Sequence, residues 1–112
     1  MTHKYHARKT VVDGITFDSR KEAERYKELK ALEHVGKIDR LELQPRFTLM
    51  DGFRYEGKAV RKIEYVADFL YRDLATLELV VEDVKGVKTD VYKLKKKLFL
   101  KHYGNEYKFR EV

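Results

Sequence analysis

The chain contains no cysteine, which excludes disulfide bonds and thiolate metal sites and makes an intracellular setting the expectation. No apolar stretch approaches the roughly 20 residues that a membrane-spanning helix needs, so no membrane partner is expected. The opening residues, MTHKYHARKT, lack the apolar centre of a secretion signal. A cytoplasmic protein follows as the expectation. Proline occurs once, at Pro45, and there is no internal repeat, low-complexity tract or linker-like segment.

What remains is 112 residues, 43% hydrophobic, in a well-mixed pattern. That length suits one domain with one modest core of helices packed on a sheet. It is too short for a catalytic domain plus a separate recognition domain. The balance is basic, 25 Lys+Arg against 19 Asp+Glu, for a formal charge of +6. Such a surface favours a polyanionic partner, because each neutralised phosphate releases condensed counterions. Nucleic acid is therefore the expected partner.

Residues 1–9 read as a flexible basic arm, and residues 10–112 as a single domain. KTVV-DG-ITF predicts an N-terminal hairpin turning at Asp13-Gly14. DSRKEAERYKELKALEHVG predicts a helix, with Ser19 as N-cap and Glu22 completing a capping-box pattern. Ala23, Tyr26, Leu29 and Leu32 mark its inner face, and Gly36 its stop. KIDRLELQPRFTLMDG predicts a bent or edge strand interrupted at Pro45. FRYEGKAVRKIEYVADFLYRD begins as a loop and becomes a strand near Lys62, and ATLELVVEDVKG is the next strand. TDVYKLKKKLFLKHYG predicts a second helix, and NEYKFREV a last short strand. The predicted order is (ββ)-α-β-β-β-α-β, a mixed α/β domain.

Charged residues then pick out one end of the predicted sheet. Side chains alternate along a strand, so Asp83 and Lys85 share a face while Glu82 and Val84 take the other. Asp68 interrupts an apolar and aromatic run, where an uncompensated charge is costly. A hairpin turning near Ala75-Thr76 sets Asp68 opposite Asp83. Two carboxylates that close repel unless a cation intervenes. Lys85 supplies one charge, and carboxylate oxygens with water suit Mg²⁺ or Mn²⁺. Glu22, in the first turn of the first helix, is the third acid, placed to complete such a site directly or through water.

Asp68, then Asp83-x-Lys85, preceded by a helical Glu22 and followed by a basic helix, resembles the PD-(D/E)XK nuclease superfamily. FDSRKEAERY, YVADF, VVEDVKG and TDVYKLKKKLF are similar to a family of small phage- and prophage-encoded proteins of uncharacterised function grouped with restriction-endonuclease-like folds. One departure is Ala67-Asp68 where the superfamily motif has Pro-Asp. The resemblance implies a restriction-endonuclease-like αβββαβ core, a central mixed sheet flanked by helices. It also implies a Mg²⁺-dependent endonuclease acting on DNA in a bacterial host. Glu22, Asp68, Asp83 and Lys85 would be catalytic, with metal held by Glu22, Asp68, Asp83 and the Val84 carbonyl. Lys88, Tyr92, Lys95 and Lys96 would contact nucleic acid, while Leu94, Leu98 and Phe99 face the sheet. Lys4, Arg8 and Lys9 of the arm would track a phosphate backbone. With no sequence-reading module, selectivity for branched or flapped DNA is expected, or recruitment by a phage recombination or replication partner. A homodimer is expected where paired nicks are made.

Rival readings stand beside these. Glu22 could serve only the capping box, Asp68 could pair with an arginine, and the lysines could be a solvated helix face. His3, His6, His34 and His102 do not fall at zinc-ligand spacing. A non-catalytic nucleic-acid-binding module, or an interaction factor of a phage replication, recombination or packaging complex, would share the charge and need no metal.

Overall fold

The computed structural model describes residues 8–112, so most of the basic arm lies outside the described residues. The chain runs β1 (Thr10–Val12), β2 (Ile15–Phe17), α1 (Arg20–His34), β3 (Ile38–Leu43), β4 (Arg46–Met50), β5 (Phe53–Tyr55), β6 (Lys58–Val60), β7 (Ile63–Val66), β8 (Phe69–Asp73), β9 (Leu79–Asp83), α2 (Asp90–Tyr103) and β10 (Tyr107–Glu111). The central sheet has the order β10-β9-β8-β3. It is mixed, with β3, β8 and β9 antiparallel in turn and β10 parallel to β9.

Alternation along β9 explains why both faces are covered. Val80 joins Ala23, Tyr26, Leu29, Phe69 and Tyr71 in the core beneath α1. Its neighbour Val81 points the opposite way and joins Phe47, Tyr65, Tyr92 and Phe99 beneath α2. A mixed α/β fold with helices flanking a mixed sheet is thus present.

Local chemistry sets the element ends. Asp13 and Gly14 both have positive φ, 53° and 74°, as a two-residue type I′ turn demands. The Tyr26 hydroxyl donates to Asp13 and ties this hairpin to α1. Ser19 caps α1 by accepting the Glu22 amide at 3.1 Å. Gly36, at φ 80°, closes the helix as the Lys37 amide donates to the Leu32 carbonyl. Thr89 caps α2 by accepting the Tyr92 amide.

Three expectations need correction. The segment 38–50 is two strands, not one bent strand. Pro45 has no amide to continue a ladder and Gln44 takes φ 51°, so β3 stays in the central sheet while β4 leaves to pair with β7. The segment expected to begin as a loop holds the β5–β6 hairpin, and the following strand breaks at Ala67-Asp68 into β7 and β8. Seven strands therefore separate the helices, where three were expected. Leu94 does not face the sheet. It is 59% exposed, because α2 turns Tyr92 and Phe99, one heptad apart, toward β4 and β7. No helix among the described residues is long and apolar enough to cross a membrane.

Candidate active site

Phe69 of β8 pairs with Glu82 of β9. Asp68 directly precedes β8 at the end of this ladder, beside Asp83 at the end of β9, and its amide donates to the Glu82 carbonyl at 3.1 Å. Asp83 points with Val81 toward α2, and Lys85 follows on the same side, its Nζ 3.1 Å from Asp83 Oδ1. Asp68 Oδ2 accepts the Val84 amide at 2.7 Å. The Asp68 carboxyl lies close enough to those of Asp83 and Glu22 for them to perturb one another. Glu22, Asp68, Asp83 and Lys85, drawn from three separate stretches of chain, therefore meet at one end of the sheet.

Glu22 takes its amide to Ser19 but turns its carboxyl to Asp68, so the capping-box role is only half used. Its place in the first turn of α1 brings it over the strand ends, where it is 8% exposed. Burial raises its pKa, helped by the nearby charges of Asp18 and Asp83. Burial also raises Asp68, with the neighbouring Asp83 carboxyl and its charge adding to it, up to about 8. The site therefore retains protons that ordinary carboxyls lose well below neutrality.

Residues that looked like plain core or surface in the sequence complete the site. The Tyr65 hydroxyl donates to Asp83 Oδ2, and burial plus that bond hold the phenol well above its usual range. The Lys85 ammonium lies 4.3 Å from the centre of the Tyr92 ring. The Lys21 ammonium donates to the Lys85 carbonyl at 3.1 Å and fixes the loop after β9. An acid interrupting an apolar and aromatic run was the available signal for Asp68. Tyr65 carried none, since its ring serves the aromatic core.

A cavity of about 700 Å³ opens above these residues, lined by Glu22, Asp68, Val84 and Lys85 with Arg8, Arg20 and Lys21 at its basic side. A smaller one of about 140 Å³ adjoins Glu22, Gln44 and Asp68 from the other side. Buried Asp83 Oδ1 accepts no hydrogen bond, although Lys85 stands near it. An orphaned carboxylate oxygen beside two further carboxyls is a donor set that fits a hard divalent cation. The three acids nevertheless crowd about Asp68. Among the described residues no group of three or more His, Asp or Glu is arranged around a common centre for a metal. Glu22, Asp68 and Asp83 are the side chains that could hold one once Glu22 and Asp68 give up their protons.

The nucleic-acid set expected on α2 is differently employed. Lys88 and Lys96 pair with Glu111 of β10 at 3.2 and 3.3 Å, and the Tyr92 hydroxyl donates to the same carboxylate. The Tyr92 bond, with the two lysines, lowers the Glu111 pKa to about 2. Lys95 makes no ion pair among the described residues. Glu82, expected to be a bystander, is fully buried on the α1 face. It takes a bidentate Arg25 at 2.8 and 2.6 Å and a bond from Tyr71. That pair clamps α1, and with it Glu22, onto β9.

No curated protein and no solved structure matches the chain. Residues 2–111 match the family described as "Protein of unknown function (DUF1064)", and the chain belongs to that family.

Proposed function

We propose that the protein is a metal-dependent nuclease that hydrolyses DNA phosphodiester bonds on a restriction-endonuclease-like, PD-(D/E)XK core. The observation that carries this reading is the meeting of Asp68 and Asp83 at the adjoining ends of β8 and β9, with Lys85 beside them and Glu22 leaning in from α1. Glu22, Asp68, Asp83 and the Val84 carbonyl would hold Mg²⁺ or Mn²⁺. A bound ion of this kind supplies Lewis acidity toward a phosphate and a bound water of lowered pKa.

The chain's own residues do the rest. Tyr65 holds Asp83 in one orientation. The Tyr92 ring and Asp83 hold the Lys85 ammonium at the cavity wall, where it meets the charge that builds on a phosphate under attack. Arg8, Arg20 and Lys21 flank the same cavity and suit the neighbouring phosphates. A cytoplasmic, phage-derived role on branched or flapped DNA, as a homodimer or with a recombination partner, accords with this site.

The test is titration of Mg²⁺ or Mn²⁺ into protein with labelled branched, flapped and linear DNA. Cleavage that needs metal and is lost in Asp83→Asn and Lys85→Ala supports the reading. No cleavage of any substrate, or equal cleavage by both variants, sinks it. A second reading, a DNA-binding module without catalysis, is favoured by one observation: the Asp68 carboxyl already accepts the Val84 amide and is crowded by Asp83 and Glu22. Binding without cleavage at every metal concentration would select it.

A further inference from the structure

The β5–β6 hairpin is the part of the fold that the acidic site does not use. Its strands pack chiefly on each other, and every residue of β5 is exposed. An unbacked two-stranded ribbon is marginal in water, and this one exists as an outgrowth of the β4–β7 pair. The Glu56-Gly57 turn, with φ 46° and 78°, gives it a tight type I′ tip. Arg54 donates to the Gly57 carbonyl at 2.6 Å and stiffens that tip.

Its two faces differ. Phe53 pairs with Val60 and Tyr55 with Lys58, so these four share one face, while Arg54 and Ala59 take the other. Phe53 is 49% and Tyr55 65% exposed. Aromatic rings this exposed, on a ribbon that no other described helix or strand substantially covers, are not core residues. Residues 53–62 carry Arg54, Lys58, Arg61 and Lys62 against the single acid Glu56. Arg54, Lys58 and Arg61 make no ion pair among the described residues. Unpaired cations beside exposed rings suit a polyanion with apolar surfaces between its charges.

Position and width narrow the partner to a duplex. A two-stranded ribbon fits the major groove, which is about 12 Å wide. Lys58 precedes Asp68 by ten residues, a reach of at most about 35 Å. One duplex turn rises about 34 Å. We propose that the β5–β6 hairpin is a duplex-DNA grip that enters a groove with Tyr55 and Lys58 near its tip and Arg61 reaching phosphate from its base, up to one helical turn from the acidic site. The choice of DNA rests on the nuclease reading. The grip itself is a statement about binding and requires neither metal nor cleavage.

The experiment is fluorescence anisotropy of the full chain in EDTA, with a labelled duplex of about three turns and one shorter than a turn. The Lys58→Glu/Arg61→Glu double variant should bind the long duplex at least about 10-fold more weakly. Its log–log salt slope should be shallower by about 2, one unit per lost phosphate contact. Tyr55→Ala should weaken the long duplex several-fold with little change in slope. Binding of the short duplex should be unchanged in both, and thermal melting should match wild type.

A double variant with wild-type affinity and slope overturns the proposal, as does a wild type that binds no duplex or binds single strands equally well. Cleavage is assayed in parallel with Mg²⁺. Weaker long-duplex binding by the hairpin variants, with no cleavage by any protein, sinks the nuclease reading and leaves the grip standing.

Discussion

The Val84 amide donates to Asp68 Oδ2 at 2.7 Å, so the acid that interrupts one strand is tied to the backbone between the acid and the lysine of the next. This bond lets chemistry and folding be tested separately. Asp68→Asn keeps an oxygen to accept the amide and removes the carboxyl that could ionise to hold a metal. Cleavage should fall on the order of 10²- to 10³-fold, while the stability change at neutral pH stays within about 1 kcal/mol. Metal-dependent cleavage and urea denaturation of the same preparation check both halves. A variant that cleaves normally removes Asp68 from the catalytic set.

The raised pKa of Asp68 predicts an unusual stability profile. The folded chain holds this proton more tightly than the unfolded one. The gain is complete below the ordinary carboxylate value of 3.8 and is lost as pH rises through about 8. Glu22 is raised as well and acts in the same direction. Metal-free protein should therefore lose stability between pH 5 and 8, measurable as a falling urea midpoint. Asp68→Asn should flatten that decline. A midpoint that rises over the interval would contradict the raised pKa of Asp68.

Arg25 and Glu82 form a bidentate pair whose acid is wholly buried. Arg25→Met alone leaves that acid with only Tyr71, and should cost about 3–5 kcal/mol. Adding Glu82→Leu should recover much of the loss, because the unpaired charge goes with it. Equilibrium unfolding of the single and double variants checks this. Equal losses in both would show that the arginine matters through packing instead.

Glu111 holds Lys88, Lys96 and Tyr92 through one carboxylate. Glu111→Gln should free both ammonium groups and tighten nonspecific DNA binding several-fold at low salt, with a steeper salt slope. Anisotropy across a salt series reads this directly. Unchanged affinity would mean that α2 does not face DNA.

The acid cluster was legible because its signals are local and contrary to context. Asp68 sits in an apolar run, and strand periodicity alone aligns Asp83 with Lys85. The hairpin register followed from a turn at Ala75-Thr76. Both helices were readable from their ends, the first from its Ser19 cap and the second from a cap at Thr89 or Asp90, of which the structure uses Thr89. The β5–β6 hairpin was not, since Glu-Gly lacks the strong turn preference of Asn-Gly or Asp-Gly. The roles of Tyr65 and Arg25 were hidden for another reason. Each depends on a partner far along the chain, and nothing near either residue distinguishes it from core or solvated surface. Leu94 misled because a helix with leucines on several sides does not declare which side is covered.

The parallel β9–β10 pair carries a consequence for assembly. β8 and β9 close through a short turn, but Tyr107 meets Leu79 only after 28 further positions, including all of α2. The strand bearing Asp83 therefore gains one neighbour early and its second late, because distant contacts must repay a longer loop closure. In opening fluctuations the order reverses. β10 should detach first, so its amides should exchange with solvent faster than those of β8, and the residues around Lys85 should be the last part of the molecule to become rigid.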